Sequence, residues 1–177
     1  MLDIASTVPA GACLLRMLMQ FHRTPFGTPV GQFVLWASDW IVLPLRRVFT
    51  AWRRWDLASL FAAYVVKFAQ CLLLSLFSGV EWVRLPGVLA VVPLLALIQL
   101  CVALFSGLMI VAVLQTWPGA FTVPGIALVT RLTDPLLGPL RRWLPPFNGV
   151  DFTPVVWILG LQILGWVVSG WQTAWMR

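Results

Sequence analysis

The sequence predicts an all-helical membrane protein, with about four transmembrane helices arranged as two parallel repeats. The first supporting observation is composition: 60% of the residues are apolar and 10% are charged, whereas soluble domains carry about a quarter charged residues. Mean hydropathy is accordingly high, at +0.92. The second is a series of apolar runs that reach the roughly 20 residues needed to cross a bilayer. The third is an internal duplication at a distance of 95 positions.

The duplication is visible as residues that keep the same mutual spacing in both halves of the chain. The matched sets are Asp39, Pro44, Leu45, Arg46, Arg47 and Asp56 in the first half and Asp134, Pro139, Leu140, Arg141, Arg142 and Asp151 in the second. Each copy places a charged, proline-containing segment between two apolar runs, which predicts a unit of helix, polar connection and helix. We therefore expect a first repeat over residues 1–80 and a second over residues 87–177. Because each repeat has two spans, both copies enter the membrane with the same polarity, unlike inverted repeats.

Four transmembrane spans are predicted from the apolar runs. They are Ile4 to Phe21, Leu57 to Val80, Gly87 to Leu114, and Phe152 to Trp171. The first is the least apolar because it contains Arg16, but its register with the run ending at Leu114 supports it. The third is longer than an upright crossing needs, so we expect it to tilt or to bend at Pro93.

The connections within each repeat predict short helices that lie in the membrane interface or re-enter the bilayer. Val30 to Leu43 is almost wholly apolar, and Ile126 to Leu137 alternates apolar with polar residues at helical spacing. Pro44 and Pro139 are expected to end or kink these helices. The arginine pair after each proline can bind phosphate groups through planar guanidinium groups. The alternative is that the connections only anchor the protein at its depth in the membrane.

The distribution of arginine predicts the orientation. Five arginines lie between the first two spans and three between the last two, which places both connections on the cytoplasmic side. The termini and the turn from Glu81 to Pro86 are then outside. The net charge of +6 indicates anionic membrane lipids as partners. Nucleic acid is not expected, because the basic residues flank spans and form no soluble basic domain.

Three polar positions within the spans are candidate functional residues. Arg16 and Lys67 are charged, and Gln162 is the counterpart of Lys67 in the second repeat. A charge at the centre of a transmembrane helix costs roughly 2.5 to 3.5 kcal/mol. Arg16 is near enough to the inner end of its span for its side chain to extend to the interface. Lys67 and the glutamines of the spans either form interhelical hydrogen bonds or line a narrow wet path.

The sequence offers little for catalysis or for cofactor binding. Cys13, Cys71 and Cys101 are dispersed in apolar runs, and His22 is the only histidine, so no metal, no cofactor and no catalytic dyad is expected. The repeat aspartates occur beside arginines, where charge pairing is a simpler explanation than acid–base chemistry. We therefore expect a protein that is not an enzyme.

The second connection closely resembles the YggT family, which is known from bacterial inner membranes and plastids. The residues that carry the resemblance are Asp134-Pro135-Leu136-Leu137-Gly138-Pro139-Leu140-Arg141-Arg142, then Leu144-Pro145-Pro146, Gly149, Asp151 and Thr153-Pro154, with the run Leu14-Leu15-Arg16-Met17-Leu18-Met19-Gln20 in the first span. The first copy departs from this pattern, since Trp40 occupies the position of the proline after aspartate and Arg53-Arg54 stand in place of Asn148-Gly149.

The resemblance implies a bacterial inner-membrane protein with no established catalytic residue. Members of the family are linked to cell division, cytochrome assembly in chloroplasts, nucleoid distribution and osmotic tolerance. The leading hypothesis is a scaffold or assembly factor that contacts other membrane proteins. The alternative is a channel or transporter for ions or small solutes in the osmotic response, and a third reading is a protein that only organises lipids. The sequence also permits homo-oligomers.

Overall fold

Six α-helices and no strand make up the part of the chain that the computed structural model describes, residues 2–47, 56–78, 86–115, 126–143 and 151–175. The helices are α1 (Leu2–Phe21), α2 (Pro29–Arg46), α3 (Leu57–Ser78), α4 (Pro86–Gln115), α5 (Ile126–Arg141) and α6 (Thr153–Trp175). The predicted all-helical fold is confirmed. The expectations for the turn after Ser78 and for Arg53-Arg54 concern residues outside these ranges.

Four of these helices, α1, α3, α4 and α6, are long and apolar enough to cross a membrane. Only 17% to 33% of each apolar stretch is buried inside the protein. The remaining surface carries large apolar side chains, for example Leu159, Ile163 and Trp166 of α6. Such a surface is stable in lipid and unfavourable in water. The protein is therefore a multi-pass membrane protein with four spans, as predicted.

The helices follow the duplication closely. Each repeat consists of a long helix, a shorter one and a second long one, and α5 ends at Arg141, 95 positions after the end of α2 at Arg46. The two spans of each repeat pack against each other, α1 on α3 and α4 on α6. Contacts of α4 with α3 and α1 join the repeats.

Prolines do not divide the helices in which they occur. The two short helices continue through Pro44 and Pro139 and end two residues later, and α4 is continuous through Pro93. The chain makes a close backbone approach at the start of α2, where a Cβ on Gly31 would lie 2.7 Å from the carbonyl oxygen of Phe26. Thr28 caps α2, accepting a hydrogen bond from the Gly31 amide at 3.1 Å. Glycine is therefore required there for the chain to reverse direction.

Two apolar clusters hold the bundle together and fix the position of the connections. The larger one contains residues of α1, α2, α3 and α4. Its small side chains, such as Ala10 of α1 and Ala58 and Ala62 of α3, let these helices approach closely. The second contains Met19 at the end of α1, Val34 of α2, and Leu128 and Leu132 of α5. Because this cluster includes residues of both α2 and α5, the two connections lie at the same end of the bundle.

Cysteine labelling can check that shared end. In a variant whose three native cysteines are replaced by alanine, Arg47→Cys and Arg142→Cys should react with a membrane-impermeant maleimide from one side of the membrane. Thr173→Cys, near the opposite end of α6, should react only from the other side. We predict that the side of the two arginines is the cytoplasm. Reaction of Arg47→Cys and Arg142→Cys from different sides would contradict the fold.

Candidate functional site

The strongest feature shared by the two repeats is an ion pair at the C-terminal end of each connection, directly before the next span. We call residues 39–56 the first elbow and residues 134–151 the second elbow. Arg46 pairs with Asp56 in the first elbow. Arg141 pairs with Asp151 in the second, with 2.7 Å between Nε and Oδ2. The duplicated motif is therefore a clamp that ties the end of a short helix to the start of the next span.

The aspartate of each clamp also caps that span. Asp56 accepts hydrogen bonds from the amide of Ser59 at 3.3 Å and from its hydroxyl at 2.8 Å. Asp151 accepts one from the amide of Thr153 at 2.9 Å. A carboxylate at a helix N-terminus is stabilised both by these hydrogen bonds and by the helix dipole. One carboxylate thus neutralises an arginine and begins a transmembrane helix.

Asp56 remains ionised although its side chain is only 1% exposed. Burial raises the pKa of Asp56, but the hydrogen bonds from Arg46 and Ser59 and the charge of Arg46 together outweigh burial, so that the pKa lies below its ordinary value of 3.8. Burial likewise opposes ionisation of Asp151, and the hydrogen bonds from Thr153 and Arg141 again bring its pKa below 3.8. Both clamps therefore hold a charged pair at neutral pH.

The two elbows differ at their first aspartate. In the second elbow, Asp134 accepts a hydrogen bond from Arg141 at 3.2 Å, so one arginine binds both aspartates. In the first elbow, Asp39 pairs instead with Arg16 of α1 at 2.6 Å. The position of Arg16 in the second repeat is occupied by Val111, which has no charge to offer. The first elbow is therefore tied to α1 by an additional charge pair.

Arg16, for which we expected a side chain that extends toward the membrane interface, pairs with residues of α2. Its side chain is 4% exposed, and it donates to Ser38 at 2.9 Å as well as to Asp39. Ser38 and Asp39 both belong to α2, so the short helix brings the counter-charge to the buried arginine. Pairing within the protein removes the need for Arg16 to reach water, since a buried cation is tolerated where it has a close anionic partner.

The second arginine of each pair has a different environment from the first. Arg47 and Arg142 are exposed. No acidic side chain of the described chain lies within ion-pair distance of either guanidinium group. Each Arg-Arg pair therefore divides into a clamping residue, Arg46 or Arg141, and a residue whose guanidinium group is available to an external anion.

Lys67, midway along α3, belongs to a second polar group that extends from there toward the end of the bundle remote from the elbows. Its ammonium group donates to Gln70 Oε1 at 2.9 Å and to Thr7 Oγ1 of α1 at 3.4 Å. Gln70 in turn donates from Nε2 to Asp3 Oδ1 at 2.6 Å. The hydrogen bonds to Thr7 and Asp3 join α3 to α1, which is one of the two roles expected for the polar residues of the spans, and the bond between Lys67 and Gln70 lies within α3.

A cavity of about 320 Å³ lies beside this group, and we call it the polar cleft. Its polar lining comes from all four spans: Asp3, Thr7, Lys67, Gln70, Gln99 and Gln172. Gln162, the repeat counterpart of Lys67, lies exposed on α6 and does not line the cleft. The matched sequence positions of Lys67 and Gln162 therefore do not have matched environments.

Several contacts of these sites were not predicted from the sequence. The capping role of Asp56 has a recognisable signal, an aspartate three positions before Ser59 at the start of an apolar run. The pairing of Arg16 with Asp39 has none, because the partners lie on different helices and the spacing recurs nowhere in the second repeat. Among the described residues, no group of three histidine, cysteine or acidic side chains is placed to hold a metal ion.

Comparison with known proteins identifies relatives over most of the chain. The CCB3/YggT family model matches residues 1–77 and 91–172, two segments as a duplicated unit would give. The chain is 34% identical to the uncharacterised protein YggT of Escherichia coli strain K12, over 88% of this chain and 80% of that protein. It is 31% identical to the uncharacterised protein PA0392 of Pseudomonas aeruginosa, over 88% and 79% of the two chains. No solved structure matches the chain.

The buried clamp of the first elbow predicts an acid-sensitive stability. Asp56→Asn should lower the free energy of unfolding at pH 7 by about 1 to 3 kcal/mol, because Arg46 loses its charged partner. Asp56 has a folded-state pKa below 3.8, so its contribution is present above that pH and is lost as the pH falls through the folded pKa. The stabilities of wild type and variant should thus begin to converge as the pH falls below 3.8 and should become equal only below the folded-state pKa, measured by thermal unfolding in detergent.

Asp134→Asn is the matched control for that comparison. Asp134 also pairs with an arginine, but both side chains are about half exposed, so its removal should cost less than about 1 kcal/mol. Equal losses from the two substitutions, or an undiminished difference between Asp56→Asn and wild type in acid, would show that the buried clamp does not carry this stability.

Proposed function

The chain belongs to the CCB3/YggT family, and we propose that it is a non-enzymatic scaffold or assembly factor of the bacterial inner membrane that acts through its two elbows. The observation that carries the proposal is that the two arginines of each pair have different environments. Arg46 and Arg141 are held by aspartates, whereas Arg47 and Arg142 are exposed. A fixed backbone therefore presents an available guanidinium group in each repeat.

The shared position of the elbows favours a single contact surface. Both short helices enter the same apolar cluster, through Val34 of α2 and through Leu128 and Leu132 of α5. Each helix ends at its clamping arginine, so Arg47 and Arg142 follow equivalent helix ends. Two cations whose backbone positions are set by folded helices bind an anionic surface with less loss of conformational entropy than two cations on an unfolded segment would.

The chemistry of the elbows favours anionic lipid headgroups as the first contact, followed by acidic segments of other membrane proteins. Guanidinium groups bind phosphate and carboxylate oxygens through paired hydrogen bonds. Large aromatic side chains accompany them: Trp36 and Trp40 of α2 and Trp143 after α5 are 77%, 68% and 84% exposed. Tryptophan is favoured at the depth of lipid headgroups. We propose that the elbows lie at that depth on the cytoplasmic side, with the termini outside.

A binding role also agrees with how the reactive groups are used. The four repeat aspartates accept hydrogen bonds from arginines, and Cys13 and Cys71 are buried. The wide apolar surface of α6 would accommodate another span, from a partner or from a second copy of the chain. From the family resemblance we propose cell division, assembly of membrane complexes and osmotic stress tolerance as the processes served.

Removal of the available arginines tests the proposal. The double variant Arg47→Ala, Arg142→Ala should insert and fold normally but should recover fewer crosslinked membrane-protein neighbours in vivo, and purified protein should bind less to vesicles containing phosphatidylglycerol. Each exposed arginine near a lipid surface contributes about 1 kcal/mol, so the double variant should bind at least about tenfold more weakly.

The matched control is Arg23→Ala, Arg131→Ala, which removes the same charge from exposed positions outside the clamped pairs. Its vesicle binding and crosslinking should fall much less. Equal losses in the two double variants would mean that net charge alone is responsible and would contradict a specific role of the elbows. Lost vesicle binding with unchanged neighbours would leave lipid organisation, without protein partners, as the function.

A channel or transporter for small solutes is the second candidate, and the polar cleft favours it. A buried lysine and three glutamines line a cavity among the spans, and such groups stabilise polar solutes inside a membrane. Purified protein in liposomes should then conduct monovalent ions or small osmolytes above the level of empty vesicles, and Lys67→Met should reduce that flux. Flux equal to that of empty vesicles would exclude this candidate and leave the scaffold proposal unaffected.

A further inference from the structure

The polar cleft has the features of a ligand site that is separate from the elbows. We propose that it binds a zwitterion of the phosphoethanolamine type, with the phosphate at the Lys67 ammonium group and the ligand's ammonium group at Asp3. The source is either the headgroup of phosphatidylethanolamine or a free molecule with the same two charges.

Lys67 provides the anion-binding end of the cleft. It is only 7% exposed, yet no carboxylate of the described chain lies within ion-pair distance of its ammonium group. The acceptors near it are neutral, the amide oxygen of Gln70 and the hydroxyl of Thr7. An ammonium group has three N–H donors, so one donor is left for a ligand in the adjoining cavity. Asp3, the acidic residue that lines the same cavity, lies beyond ion-pair distance of Lys67, so an anion that binds directly beside the buried ammonium group stabilises it.

Asp3 provides the cation-binding end. Its carboxylate lines the same cavity and accepts a hydrogen bond from Gln70 Nε2. The side-chain amide of Gln70 thus stands between Lys67 and Asp3 and keeps the two charges from pairing directly. A site with separated positive and negative ends is complementary to a molecule with the same separation of opposite charges. A simple anion would use only one of these ends.

The rest of the lining suits a headgroup attached to an apolar chain. Gln99 and Gln172 add hydrogen-bonding groups from α4 and α6, and Leu74, Val92 and Leu100 add apolar wall. The volume of about 320 Å³ is at the lower end of the range for small-molecule pockets. Asp3 lies in the first turn of α1 and Gln172 in the last turn of α6, so the cleft extends from Lys67 toward the end of the bundle remote from the elbows.

The second repeat shows that this polar group is not needed to pack a repeat. Val102 and Gly165 occupy the positions of Thr7 and Gln70. There α4 and α6 pack closely, since a Cβ on Gly165 would lie 3.4 Å from Val102 Cγ1. Ile98 occupies the position of Asp3. The same helix pair is thus closed by apolar contact in one copy and holds two separated charges beside a cavity in the other. Interhelical adhesion alone does not account for that difference.

Lipid binding to the purified full-length protein tests the site. Native mass spectrometry would compare wild type with Lys67→Met, which replaces the side chain by an unbranched, uncharged one of similar size, and with Gln162→Met, which introduces the same residue at the exposed counterpart position on α6. Phosphatidylethanolamine should bind about tenfold more weakly to Lys67→Met than to wild type, the loss expected for one charge-assisted hydrogen bond. Gln162→Met should bind like wild type. Equal affinity of wild type and Lys67→Met would overturn the proposal.

The role of Asp3 is tested by a second variant and a second lipid. Asp3→Asn should weaken phosphatidylethanolamine, whose ammonium group loses its partner, and should leave phosphatidylglycerol unchanged or bound more tightly. If the binding that depends on Lys67 is as strong for phosphatidylglycerol as for phosphatidylethanolamine, a zwitterion is not the ligand. If free O-phosphoethanolamine at millimolar concentration displaces the lipid, the headgroup alone is sufficient for binding. If it does not displace the lipid, the ligand of the site is the lipid.

These substitutions leave both elbows intact, so their outcome is independent of the proposed scaffold role. Thermal unfolding of each variant in detergent provides the control for folding. Because Lys67→Met replaces a buried cation by an apolar side chain, we expect its stability to be equal to or greater than that of wild type. Reduced lipid binding in a fully folded variant therefore reports on the cleft.

Discussion

The ion pair between the arginine at the end of each short helix and the aspartate at the start of the next span is the interaction on which the architecture depends. Where one helix ends near a membrane surface and another span begins, the unpaired amide groups at the start of the new span and the charges at the end of the first helix must be satisfied at one place. Asp56 and Asp151 do both, because each accepts an arginine and caps a transmembrane helix. The clamp thereby fixes where each connection ends, and that position decides which arginine is left exposed.

The clamp also explains why two adjacent arginines have different roles. Arg46 and Arg141 have their charge neutralised by a carboxylate that stays ionised under physiological conditions, since in each case hydrogen bonds outweigh the effect of burial on the pKa. Arg47 and Arg142 follow the helix ends, and no acidic side chain of the described residues lies within ion-pair distance of either guanidinium group. A single arginine at each elbow could either hold the connection or bind an external anion. The pair allows both functions without competition between them.

Much of this fold follows from the sequence, because a bilayer limits the alternatives. The bounds of the four spans are set by the length of apolar runs, and the ends of α2 and α5 come two residues after the prolines that the repeat places in register. The environment of Arg16 does not follow, since its partner Asp39 lies 23 positions away on another helix and the second repeat has Val111 instead. The environments of Lys67 and Gln162 do not follow either. Their equivalent positions in the two repeats predict similar environments, but Lys67 is buried and Gln162 is exposed.

Duplication explains how the two ends of the bundle came to differ. At the elbows, both copies must end a short helix and start a span, so the same arginine–aspartate contact serves in each. At the other end the two helix pairs are joined differently, by apolar contact between Gly165 and Val102 in the second repeat and by hydrogen bonds between polar side chains in the first. The second repeat therefore shows that a repeat can pack without the polar group. The elbows, which are alike in the two repeats, are therefore the part that holds the fold. The polar cleft, which occurs in one repeat only, is where chemistry specific to this chain can be placed, with Lys67 and Asp3 as its two charges.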